Sequence, residues 1–312
     1  MVALLLVGFN RPEFTIKHLN QTKEVIGVFD TIYLFVDGPR ENYNSDFSSQ
    51  EKIKEHLFQI RNEVPIISQF RKKNLGLSKN IKDAITTILQ KHETVIVLED
   101  DVEITISGLI SIQMQLEAVT KMGMLNPVIG MSGITKKRFI TGWIKNEWRS
   151  SRYFSAWGYG VNRYFWAQHL KLQLDKSSTH EQILEKALLL ESSKRKRNIW
   201  KERFNRGIYD YEIQETLFAL KIKTFAPRFR IVGNIGHGPK ATNTSFATPR
   251  YLHGSLDDSL LASNIKLNSH NNLQQKALSF MDSKTFGGDS LTSIRGRTHG
   301  IRSCFRSIFQ AS

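Results

Sequence analysis

Four apolar runs, each ending in a polar loop and each too short to span a membrane, constrain this chain more than any other feature. ALLLVGFN (3–10), TIYLFVDGPR (31–40), PIISQFR (65–71) and TVIVLEDD (94–101) alternate with amphipathic stretches at 12–26, 48–64 and 77–92. The first amphipathic stretch opens on Pro12 with Glu13 behind it, and Ser78 is placed to cap the third. Continuous apolar strands must be covered on both faces. The order β-α-β-α-β-α-β therefore predicts an α/β fold, an α/β/α sandwich with a mainly parallel central sheet.

In such sheets ligands bind beyond the carboxyl ends of the strands. Those ends are Asn10-Arg11, Asp37-Gly38, Arg71 with Asn74, and Glu99-Asp100-Asp101. Three adjacent carboxylates at the end of an apolar strand repel one another, and two readings stand. They are solvated loop charge or the N-cap of the next helix, or they form one wall of a site whose other walls are cationic. Arg71, Lys72, Lys73, Asn74 and Lys79 belong to the same rim and favour the second. Mn²⁺ and Mg²⁺ prefer oxygen ligands and are held by one or two carboxylates when phosphate oxygens fill other positions. The expected ligand is a divalent cation with a diphosphate, whose charge the cation stabilises on departure.

Beyond residue 105 the pattern loosens. Helices are expected at 107–122, 179–206 and 210–223, a strand at 126–134, loops rich in Trp, Tyr and Gly at 135–165, and strand with loop after 224. Residues 249–312 have little periodicity and are expected to form an appendage, partly disordered. The net charge of +15 calls for a polyanionic partner or none. Much of it lies in KKRFITGWIKNEWRSSR (136–152) and KRKRNIWKERFNR (194–206), where Trp143, Trp148 and Trp200 stand among the cations. Each cluster is either a solvated face or a basic-aromatic patch suited to a membrane interface or to single-stranded nucleic acid. No helix-turn-helix, zinc-finger or RNA-binding signature occurs, so nucleic acid is not an expected partner. The start, MVALLLVGFNRPE, lacks the features of a signal peptide, and the single cysteine, Cys304, rules out a disulfide framework within one chain. The expected location is cytoplasmic, with peripheral attachment to the membrane's inner face as an option.

GFNRPE, FVDGPR, NLGLSKNI, VIVLEDD, SAWGYG, YDYE and NIGHGPKATNT occur in this order. The set resembles nucleotide-sugar glycosyltransferases of the Rossmann-like GT-A fold, especially bacterial members similar to family 2 and to animal N-acetylglucosaminyltransferase I. It covers about residues 3–248, with 1–104 as the nucleotide-binding half and 105–248 as the acceptor-binding half. The resemblance implies transfer of a sugar from a nucleotide diphosphate donor to a carbohydrate or lipid-linked glycan acceptor, with inversion. By it, Asp37 meets the nucleobase, and Asn74 through Gly76 to Leu77 lie near ribose and diphosphate. Asp101 is the metal ligand, with Glu99 and Asp100 placing ribose and metal waters. Asp210 is the general base, Glu212 its rival, and Trp157, Gly158 and Tyr159 border the acceptor. Asp37 is equally a turn former, Asp210 a helix N-cap, and Trp157 a core residue beside a tight turn. The chain departs from the pattern at Asn243, where look-alikes carry a histidine, and His237 is the replacement candidate for the metal. A sugar nucleotidyltransferase ranks lower, because GFNRPEF is a poor glycine-rich loop. A non-catalytic basic module that binds nucleic acid or an anionic membrane is the reading from a different class.

Overall fold

The computed structural model describes residues 2–132, 147–174, 178–189 and 194–236, with Leu256 and Asp258. Strands β1 (Val2–Gly8), β2 (Thr31–Val36), β3 (Ile66–Phe70) and β4 (Thr94–Glu99) alternate with helices α1 (Pro12–Gln21), α2 (Asn44–Ile60) and α3 (Leu77–Leu89). A short strand β5 (Val102–Ile104) leads into α4 (Ile106–Lys121), then β6 (Val128–Ile129), β7 (Trp148–Ser151) and β8 (Tyr159–Asn162). Four helices follow, α5 (Arg163–Leu174), α6 (Ser178–Leu189), α7 (Lys194–Phe204) and α8 (Tyr209–Leu220), before β9 (Thr224–Pro227) and β10 (Val232–Asn234).

Eight strands form one sheet in the order β3-β2-β1-β4-β8-β6-β9-β7. β3, β2, β1 and β4 are parallel neighbours, β8 is antiparallel to both its neighbours, β9 is parallel to β6, and β7 closes the edge antiparallel to β9. The expected mainly parallel α/β sandwich is present. Alternation along each strand divides the interior in two. Leu4, Leu6, Leu34, Ile96 and Leu98 face α1, α2 and α4. Leu5, Phe35, Val95 and Val97 face α3, α5 and α8. A third cluster, Tyr153, Leu188, Trp200, Phe204 and Phe218, fastens α6 and α7 onto α8.

Several expectations are corrected. The single helix over 179–206 is two helices, α6 and α7. The aromatic stretch expected as loop supplies β7, β8 and the start of α5, because Trp148, Tyr159, Phe165 and Trp166 are core residues. Ser78 does not cap α3: Gly76 does, with φ 78°. The Ser78 hydroxyl instead accepts from Tyr209 N at 3.2 Å, tying α3 to α8. Trp148 and Trp200 are buried, 2% and 3% exposed. These two rings therefore do not form outward membrane anchors, since packing in the core stabilises them more than a surface position would. Trp143, the second half of the 126–134 strand and the 249–312 appendage lie largely or wholly outside the described residues. No helix among the described residues is long and apolar enough to cross a membrane.

Candidate active site

The sheet ends bring four distant segments together. After β1, Arg11 reaches across to the acidic motif after β4. Its Nε donates to Asp100 Oδ2 at 3.3 Å, its Nη1 to Asp101 Oδ2 at 3.1 Å, and its Nη2 also pairs with Asp100. The side chains of Arg11, Asp100 and Asp101 are 24%, 6% and 18% exposed, so the arrangement is shielded from water. An internal guanidinium is thus the first answer to the repulsion among these carboxylates. After β10 the chain closes over them: Ile235 N donates to Asp101 O at 2.9 Å. A Cβ on Gly236 would lie 2.1 Å from Asp101 Oδ2 and 2.8 Å from Arg11 Nη1, so only glycine allows this approach.

Glu99 takes a different partner. The Tyr209 hydroxyl at the start of α8 donates to Glu99 Oε1. Burial, with the charge of Asp101 second, pushes the Glu99 carboxyl up to about 8. The three acids are therefore unlike: Glu99 faces a tyrosine, Asp100 is enclosed by Arg11, and Asp101 is the most exposed of the two that share Arg11.

Asp210 follows Tyr209 and lies in the first turn of α8, whose N-cap is Ile208. Asp210 is not the cap that one sequence reading allowed, because the helix starts one residue earlier. Its Oδ1 accepts from Tyr211 N at 3.0 Å. Burial raises its carboxyl to about 6, partly opposed by that backbone donor. It opens onto a cleft of about 180 Å³ lined by Phe154, Trp157, Trp200, Arg203 and Tyr211 among others. Trp157 and Asp210 thus share one cleft. Gly158 and Tyr159, grouped with Trp157 in the sequence, do not line it. Gly158 packs under Val232 with φ 63°, and Tyr159 is fully buried in β8 because strand alternation turns it inward. Glu212, the rival base, is drawn away into an ion pair with Lys82 Nζ at 2.8 Å.

The second rim segment is built around Asp37, 4% exposed. Its carboxylate accepts from Gly38 N at 2.8 Å, Leu75 N at 2.8 Å, Gly76 N at 2.9 Å and Asn74 Nδ2 at 3.1 Å. These bonds hold the Asn-Leu-Gly-Leu loop to the end of β2, and Gly38 lies so near Lys73 that a Cβ would meet its backbone carbon at 2.1 Å. Asp37 and Asn74 are therefore structural clamps of the loop. Removing the carboxylate strands buried N–H groups, which costs roughly 1–3 kcal/mol each. Asp37→Ala is expected to lower stability by at least about 2 kcal/mol, seen as a lower urea midpoint with an unchanged slope.

Asn10 donates to Asp46 Oδ1 at 3.0 Å, and Arg40 forks onto the same buried carboxylate through Nε at 2.8 Å and Nη2 at 2.9 Å. Sequence reasoning missed Arg40 and Asp46. The DGPR turn and the helix after it were the available signal, but nothing in either marks the pairing. Arg71 is held by Asp83 and by Asn80 Oδ1 at 3.3 Å, which directs it along α3. Lys79 is exposed on the first turn of α3. His237 and Asn243 lie outside the described residues.

Among the described residues no group of three His, Cys, Asp or Glu side chains converges as a metal site. A hard cation needs only one or two carboxylates when a diphosphate completes its shell. Asp101, with Asp100 adjoining, provides that number, and an all-oxygen donor set suits Mn²⁺ or Mg²⁺.

No protein-family model matches the chain, and no curated protein matches it. Among solved structures the chain is similar to a UDP-glucose pyrophosphorylase complexed with UDP-glucose, at 8% identity and a TM-score of 0.38, over 73% of this chain and 91% of that one. It is also similar to the galactosyltransferase LgtC in complex with donor and acceptor sugar analogs, at 12% identity and a TM-score of 0.32, over 70% of each chain.

Proposed function

We propose that this chain is a glycosyltransferase that moves a sugar from a nucleotide diphosphate donor to a hydroxyl of a carbohydrate acceptor. The observation that carries the reading is the Glu99–Tyr209–Asp210 connection. It sets the acidic motif at the sheet rim directly beside a buried carboxylate in an aromatic cleft. Donor chemistry and acceptor chemistry then meet at the start of α8. The ordered motifs that resemble nucleotide-sugar glycosyltransferases support the same assignment.

In this reading the donor lies along the rim between the Asp37 loop and the acidic motif. Asp101 and Asp100 would hold Mn²⁺ or Mg²⁺, which supplies charge stabilisation to the departing diphosphate. Trp157 offers an aromatic face to the acceptor ring. Asp210 takes the proton of the acceptor hydroxyl as it attacks. A carboxyl held near 6 is mostly ionised at neutral pH yet basic enough to help. Attack from the side opposite the diphosphate gives inversion at the sugar carbon. The acceptor class proposed is a cell-surface polysaccharide, a lipopolysaccharide or a lipid-linked glycan, reached from the cytoplasm.

Thermal-shift screening of the full chain against nucleotide sugars with and without Mn²⁺ tests the reading. A donor present at 100 times its Kd raises stability by about 2.7 kcal/mol. Free nucleoside diphosphate should then accumulate on turnover. Release of pyrophosphate from a nucleoside triphosphate and a sugar phosphate would instead identify a nucleotidyltransferase. No stabilisation by any nucleotide or nucleotide sugar would overturn the proposal.

A further inference from the structure

The cleft beside Asp210 is where three separately packed apolar clusters come to the surface together. Met131 is buried in the first, with Trp157 packed against it. Phe154 is buried in the second with Ala156 against it, and Trp200 in the third with Tyr211 against it. Much of the lining is therefore core material, whose side chains are held in place by close packing. The polar lining is already engaged. Gln214 Oε1 accepts from Phe154 N at 2.7 Å, and Gln214 Nε2 donates to Arg152 O at 3.0 Å. The Arg203 guanidinium carbon lies 5.0 Å and 5.3 Å from the ring centroids of Trp200 and Tyr211, and its charge opposes the burial that raises Asp210. Ser155 Oγ accepts from Trp157 N at 3.4 Å. Among the described lining side chains, a ligand is left chiefly with the second oxygen of Asp210 and the hydroxyls of Ser155 and Tyr211.

An ordinary hexose carries a polar group on every ring carbon. A hydroxyl pressed against Met131, Phe154 or Ala156 gives up its water and gains no partner, which is unfavourable. A methyl group in the same place gains from leaving water. The cleft, about 180 Å³, is below the roughly 300–1,000 Å³ of sites for drug-sized ligands and suits a single ring. One edge of that ring meets the Asp210 carboxylate and needs a hydroxyl there; the edge that meets the apolar lining does not. We propose that this cleft takes a sugar that carries a methyl group, seated against Met131, Phe154 and Ala156, with a hydroxyl directed at Asp210. The methyl comes either from a 6-deoxy carbon or from an N-acetyl substituent. That this sugar is the acceptor rests on the proposed glycosyl transfer; its seating in the cleft does not.

Binding to the full chain is measured without donor, by saturation-transfer NMR titration, with methyl glucoside, methyl 6-deoxyglucoside and methyl N-acetylglucosaminide. At least one of the two methyl-bearing probes should bind about fivefold or more tightly than the glucoside. The two arms tell a 6-deoxy carbon from an N-acetyl group. Ala156→Ser adds a hydroxyl to the apolar lining and should reduce the preference to about twofold or less. Ala156→Leu fills the methyl seat and should weaken the preferred probe to the level of the glucoside; it decides the matter if Ala156→Ser does not fold. The comparison on the wild-type chain needs no variant. Equal binding of all three probes to the wild type, or a preference untouched by both variants, would overturn the proposal. Equal weakening of all three by Ala156→Leu would show a blocked cleft with no methyl seat, and would overturn it too. Donor stabilisation measured separately on the same samples shows whether the transferase reading itself fails.

Discussion

Asp210→Asn is expected to remove sugar transfer while sparing donor binding. The change keeps the shape of the side chain and its acceptance from Tyr211 N, but an amide cannot take a proton. General-base catalysis contributes roughly 10²–10⁴-fold, so the turnover rate should fall by about that factor. The thermal shift caused by nucleotide sugar should stay at the wild-type value. The wild-type pH profile follows from the same group. Burial raises the Asp210 carboxyl to about 6, so its active, ionised form is lost as pH falls through that value. kcat/KM should climb with pH up to about 6, then level off, and Asp210→Asn should lack this limb. A variant with wild-type turnover would exclude Asp210 as the base. A limb that persists in the variant would assign the titration to another group.

Arg11→Met should have two opposite effects. Asp100, 6% exposed, loses the guanidinium that encloses it. Breaking a buried pair on one side costs about 3–5 kcal/mol, and the partial exposure of Arg11 places the expected loss at the lower end of that range. The same substitution removes a positive charge from Asp101, the proposed cation ligand. At an effective dielectric constant of about 20, a unit charge some 5 Å from a divalent ion is worth several kcal/mol of repulsion. Mn²⁺ affinity without nucleotide should therefore rise at least tenfold, and added Mn²⁺ should restore much of the lost thermal stability. Paramagnetic-resonance titration of free Mn²⁺ measures the first effect and thermal melts the second. Unchanged Mn²⁺ affinity would mean that the cation does not use the carboxylates that Arg11 holds.

The acidic motif shows how much of the site was legible in the chain. VIVLEDD marked the end of a buried strand, and that placement required only the apolar pattern. The division of labour within the motif was not legible. Arg11 was read only as a donor contact, and its pairing with Asp100 and Asp101 was not legible. Tyr209 had no assigned role in the YDYE motif and is the partner of Glu99. Trp157, Gly158 and Tyr159 looked like one acceptor segment, yet only Trp157 reaches the cleft, because β8 begins at Tyr159 and turns its ring inward.

By itself the amino-acid order determined the layered architecture. Backbone geometry makes side chains alternate along a strand and recur every three to four residues along a helix, so runs of apolar residues declare which faces must be buried. This is local information and survives in the sequence. Only the tertiary structure decided which charge meets which. Arg11 and Asp101 are 90 residues apart, Tyr209 and Glu99 are 110 apart, and Ser78 and Tyr209 are 131 apart. A buried carboxylate must be satisfied by whatever donor lies within about 3 Å, and that depends on where other loops happen to end. The burial that lifts Asp210 toward 6 belongs to that packing rather than to any pattern along the chain.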